Sequence, residues 1–126
     1  MRLLLVEPHA LLARALRMGL EEEGFAIDAV VDHREADKRV CESEYDVIVL
    51  DLPGNHSRET FQRWRLGGLH TPVLLVTEPG REGERRGEAP VNNLATLNKP
   101  FGLEDLLARL RSLVRNNGNH NKDARL

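Results

Sequence analysis

The sequence predicts an α/β domain built on a doubly wound, five-stranded parallel sheet. Three observations predict it. Short apolar runs alternate with segments of helical period, and each apolar run stops at a polar residue. At 126 residues, 40% hydrophobic and 30% charged, the chain has room for one core and little for a second. Segments of helix length between apolar strands are crossovers, and crossovers require parallel pairing with helices on both faces.

Arg2 to Val6 is a buried strand that stops at Glu7 and Pro8. Pro8 suits a first helical turn, where its missing N–H is no loss. Leu12, Ala15, Leu16, Gly19 and Leu20 then recur at spacings of three and four, with Arg14, Arg17 and Glu21 to Glu23 on the wet side before Gly24 closes the helix. Phe25 to Val31 alternates as a second strand. Arg34 to Ser43 is a weaker helix in which Cys41 is read as a small packing residue. Tyr45 to Leu50 is the densest apolar run and belongs at the centre of the sheet, with Asp51 next and a turn at Pro53, Gly54 and Asn55.

Ser57 is a candidate N-cap for a short helix to Leu66, with Phe61 and Trp64 facing inward and Gly67 and Gly68 ending it. Met18, Phe101 and Trp64 are read as core filling. Pro72 to Val76 is the fourth strand, ending at Thr77, and the polar stretch Glu78 to Asn93 follows. Leu94 to Leu97 is the poorest strand and delivers Asn98, Lys99 and Pro100. Gly102 to Arg115 is the clearest helix: Leu103, Leu106, Leu107, Leu110, Leu113 and Val114 line one side, and early acids with the later Arg109, Arg111 and Arg115 suit its dipole. Residues 1–115 are therefore expected to form the domain, with 116–126 a linker or disordered tail.

Composition excludes some functions. The formal net charge of −2 lacks the basic excess of a domain that binds nucleic acid by itself. A lone cysteine makes no internal disulfide, and the apolar start is too short for a signal peptide or membrane span, so a cytoplasmic domain without membrane contact is expected.

Glu7, Asp51, Thr77 and Lys99 all fall at the C-terminal ends of apolar strands. Right-handed crossovers bring those ends to one edge, where ligands of such sheets bind. Together they offer a carboxylate nucleophile, a hydroxyl, an ammonium to offset phosphoryl charge and a second carboxylate for a hydrated cation. Asp and Lys are also common wherever chains turn at strand exits, so spacing alone leaves both readings open.

With Leu4 to Glu7, Ile48 to Asp51, Val76-Thr77 and Lys99-Pro100-Phe101, residues 2–115 resemble the receiver domain of two-component response regulators, particularly those joined to a winged-helix DNA-binding module. The resemblance implies a flavodoxin-like sheet of order 2-1-3-4-5. It implies that Asp51 is the phosphoacceptor, that Thr77 and Lys99 contact the phosphoryl group, and that Glu7 is the first of an acidic pair that organises magnesium.

The chain departs from that pattern. Pro8 replaces the second acid and leaves Glu7, Asp51 and a backbone carbonyl near Pro53 as metal ligands, with His9 a poor substitute read as a surface or capping residue. The loop after Asp51 looks shorter, Glu78 replaces a small residue after Thr77, and Thr96 replaces the aromatic switch residue. Three glycines in Gly80 to Glu88 make the helix between the fourth and fifth strands short, irregular or absent. These departures lead to the expectation of an atypical, non-enzymatic receiver without a cofactor, acting independently of phosphorylation. Its expected partners are a second copy, docked through Arg109, Arg111 and Arg115, and a C-terminal DNA-binding effector that controls transcription. The alternatives are a conventional receiver that takes phosphate on Asp51 from a histidine kinase with magnesium, and a stand-alone adaptor.

Overall fold

The computed structural model describes residues 1–78 and 93–125, with side chains described as far as Arg115. Five strands, β1 (Arg2–Val6), β2 (Ala26–Val30), β3 (Val47–Leu50), β4 (Val73–Thr77) and β5 (Leu94–Asn98), pair in parallel in the order β2-β1-β3-β4-β5. Among the described residues the helices are α1 (Ala10–Glu22), α2 (His33–Glu42), α3 (His56–Leu66) and α4 (Leu103–Arg125). The segment 79–92, with the expectation of an irregular helix at Gly80 to Glu88, lies outside the described residues.

Strand periodicity divides the core. Leu3, Leu5, Val47, Val49, Leu74 and Val76 point to one face, where Leu16 and Leu20 of α1 and Leu106, Leu110 and Leu113 of α4 cover them. Leu4, Val6, Ile48, Leu50, Val73 and Leu75 point to the other, under Ala36 of α2 and Phe61 and Trp64 of α3. Both faces of β1, β3 and β4 are thus buried, which is why these strands are continuously apolar.

Side chains tie the helices to this frame. Asp32 caps α2 by accepting from the Glu35 N–H at 2.9 Å. Asp37 of α2 accepts from the Trp64 indole Nε1 at 2.8 Å and from Arg63 at 2.7 Å, joining α2 to α3. Arg65, stacked over Phe61, donates to the carbonyls of Leu69 and Thr71 and so fixes the approach to β4. The hydroxyl of Tyr45 donates to Asp28 at 2.6 Å.

Several local expectations are corrected. Cys41 and Met18 are exposed rather than packed: α2 has one fully buried residue, Ala36, and α1 turns Leu16 and Leu20 inward, which carries Met18 outward. Ser57 sits inside the first turn of α3, behind Asn55 at the N-cap. The final helix does not stop at Arg115 but continues to Arg125. Asparagine and a single glycine cost about 1 kcal/mol or less per position, and a helix already nucleated by the leucine stripe propagates through them.

Candidate functional site

The backbone ladder places the site. Glu7 donates its N–H to the Val30 carbonyl, Asp51 to the Val6 carbonyl and Lys99 to the Thr77 carbonyl, each at 2.9 Å. Each residue is therefore the first beyond its strand, held by the last bonds of the sheet, and the three meet at the C-terminal edge. A cis peptide joins Lys99 to Pro100.

Glu7 and Asp51 are buried, at 1% and 6% exposure, with their carboxyl groups in hydrogen-bond reach of each other. Glu7 Oε2 accepts from the His9 N–H at 3.1 Å and faces the His9 ring at 3.3 Å. Its other oxygen, Oε1, is buried without a hydrogen-bond partner. Asp51 Oδ2, also buried, has Lys99 Nζ 3.0 Å away as its ion-pair partner. Burial first, and the adjacent Asp51 second, push the Glu7 carboxyl up from 4.5 to about 8. Burial disfavours the Lys99 ammonium, but Asp51, Glu78 and Glu7 outweigh it and hold Lys99 above its ordinary value.

The four residues singled out in the sequence share this edge, with two refinements. The Thr77 hydroxyl donates to Asn98 Oδ1 across the β4–β5 pair, and Glu78 Oε1 lies 3.4 Å from Lys99 Nζ. Asn98 was not distinguishable in the sequence, although pairing of Thr77 with Asn98 follows once β5 is in register. His9 is the N-cap residue of α1, its side chain largely exposed. Ser57 is the other residue whose role the sequence concealed. Its Oγ accepts from the buried Leu52 N–H at 2.8 Å and holds the loop that leaves Asp51. A shallow pocket beside the site is lined by Leu52, Gly54, Ser57, Thr77 and Glu78. The candidate dimer-face arginines lie elsewhere on α4: Arg109 donates to the Thr96 carbonyl at 2.6 Å, Arg111 pairs with Glu23 at 2.8 Å, and Arg115 is exposed.

Two adjacent buried carboxyl groups, with Glu7 Oε1 lacking a hydrogen-bond partner, can supply oxygens to a divalent cation. Among the described residues no third His, Cys, Asp or Glu joins them to form a larger cluster. Magnesium is ordinarily held by one or two carboxylates, with water and phosphate oxygens completing its shell, so the residues present fit it.

Over residues 3–111 the chain matches the response regulator receiver domain family. It is 35% identical over 119 residues to the transcriptional regulatory protein PmrA of Pectobacterium parmentieri, covering 93% of this chain and 54% of PmrA. It is 42% identical over 117 residues to the transcriptional regulatory protein TctD of Salmonella typhimurium, covering 91% of this chain and 52% of TctD. The chain thus spans about half the length of these relatives. Among solved structures, the response regulator protein TrrA from Thermotoga maritima, in complex with Mg2+ and BeF, superposes with a TM-score of 0.72 at 24% identity, covering 89% of this chain and 97% of TrrA.

These findings correct two expectations. Kinship with PmrA and TctD across nearly the whole chain, on a fold that TrrA shows with magnesium and BeF, favours a conventional phosphorylation-dependent receiver over a phosphorylation-independent one. The expectation of no cofactor falls with it. Loss of a carboxylate at Pro8 does not by itself remove the site, because water can take the place of one ligand while Glu7 and Asp51 remain. Among the described residues no helix is long and apolar enough to cross a membrane. By sequence match, sheet order and relatives alike, this chain belongs to the response regulator receiver domain family, whose members are signalling and regulatory modules rather than enzymes.

Proposed function

We propose that this domain is a phosphorylation switch that accepts a phosphoryl group on Asp51 from a histidine kinase. The observation that carries the reading is the buried Asp51 carboxylate, 3.0 Å from Lys99 Nζ and beside Glu7 at the C-terminal edge of the sheet. An oxygen of Asp51 attacks phosphorus, the P–N bond to the donor imidazole breaks, and the imidazole leaves with the electron pair and takes a proton. Lys99 keeps positive charge at the edge where the equatorial oxygens gather negative charge. Thr77, by turning its hydroxyl from Asn98, gives the new phosphoryl group a donor. Glu7 and Asp51 would hold magnesium, which when bound offsets phosphoryl charge. The Leu52 N–H bond to Ser57 keeps the loop, and with it the Asp51 backbone, in place.

The regulators that this chain resembles are about twice its length, which supports a longer protein in which a DNA-binding effector follows the domain. A second copy is the other partner. Arg115, exposed on α4, is the arginine offered to it, since Arg109 and Arg111 are engaged within the chain. Residues 1–115 act as the receiver unit, and 116–126 extend it toward the effector.

Intact-mass spectrometry after incubation with acetyl phosphate and magnesium tests the reading. One phosphate per chain, absent from D51N and removed by hydroxylamine as an acyl phosphate must be, is expected. An unmodified wild-type chain under donor excess would overturn it.

A further inference from the structure

Glu78 stands at the rim of the pocket, its side chain 60% exposed, yet its Oε1 lies 3.4 Å from Lys99 Nζ. The same ammonium lies 3.0 Å from Asp51 Oδ2. Lys99 therefore bridges a buried carboxylate and a rim carboxylate. A phosphoryl group on Asp51 turns a carboxylate of one negative charge into an acyl phosphate of up to two, spread over three outer oxygens, and looks to the same ammonium for compensation. Glu78 has no donor to offer it and carries the same sign of charge, so the contact that favours the free domain opposes the phosphorylated one. The other donor at this edge is also engaged, because the Thr77 hydroxyl is directed to Asn98.

We propose that Glu78 is a positioning residue that competes with the phosphoryl group on Asp51 for Lys99 and so sets how readily this pocket holds a tetrahedral phosphoryl anion. The proposal rests on the reading of Asp51 as phosphoacceptor. Glu78 is exposed, so its influence falls in the range of a solvent-screened ion pair, about two- to fivefold in affinity.

The test is a titration of the full chain with beryllium fluoride at fixed pH and saturating magnesium, followed by backbone amide chemical shifts, for wild type, E78D, E78Q and E78K, with D51N as control. Affinity is expected to rise in the order of charge: E78D close to wild type, E78Q tighter by about two- to fivefold, E78K tighter again. Rescue by aspartate separates a charge effect from a structural one. Saturable binding in wild type with the same affinity in E78Q and E78K, or weaker affinity in all three variants, would overturn the role of Glu78 and leave the phosphoacceptor standing. Binding that appears only in E78Q and E78K would support it most strongly. Absence of D51-dependent binding in every variant would overturn the reading of Asp51, and the role of Glu78 with it.

Discussion

Glu7 connects the chemistry of the pocket to the stability of the fold. Only 1% exposed and beside Asp51, its carboxyl sits at about 8 in the folded domain, whereas the unfolded chain ionises it near 4.5. Between those values the folded state keeps a proton that the unfolded state has released, so stability falls as pH rises through the window. At about 1.4 kcal/mol per pH unit the whole window corresponds to about 5 kcal/mol, an upper figure because the proton is shared with Asp51. Glu7→Gln keeps the shape of the protonated acid and cannot ionise. Urea unfolding is expected to find E7Q and wild type alike at pH 5, and E7Q more stable by about 2–4 kcal/mol at pH 8. Excess magnesium at pH 8 is expected to stabilise wild type and to leave E7Q nearly unchanged, since only the ionised carboxylate gains a cation. Parallel stability curves for the two proteins from pH 5 to pH 8 would refute the burial of Glu7 against Asp51.

Three further outcomes test the frame around the pocket. Asp37→Ala removes the acceptor for both Trp64 and Arg63 and is expected to destabilise by about 1–3 kcal/mol, read by denaturant midpoint, with a change in the emission of the single tryptophan. Ser57→Ala leaves the buried Leu52 N–H unpaired and is expected to lose about 1–3 kcal/mol, with amide exchange accelerating first at Leu52. Leu110→Ala, at a site with no exposure, is expected to lose about 2–5 kcal/mol, and Leu66→Ala, at 89% exposure, under about 0.5 kcal/mol; equal losses would contradict the packing of α4 on the sheet.

The sheet was legible because both of its faces are covered: β1, β3 and β4 had to be apolar throughout, and their abrupt polar ends located Glu7, Asp51 and Thr77. The helices were legible only where an apolar stripe was wide. In α4 the leucines marked the inward face, whereas α2 offers Ala36 alone in full burial, so nothing in its pattern showed that Cys41 would face water or that Asp37 would meet Trp64. Contacts between strands and loops were hidden for another reason. Thr77 with Asn98, Lys99 with Glu78 and Leu52 with Ser57 depend on register and loop path, which leave no periodic signal. The fit to magnesium was hidden because one missing carboxylate is visible in a sequence, while the adjacency of the two buried carboxyl groups that remain is not.

The most direct measurement of the phosphoacceptor assignment is a crystal structure of this chain grown with magnesium and beryllium fluoride. A beryllium–oxygen bond at Asp51 is expected, with Lys99 Nζ and the Thr77 hydroxyl on the fluorines and a cation touching Glu7 and Asp51 with water in the remaining positions. Density for the tetrahedral group at any other residue, or a cation that avoids Glu7, would contradict it.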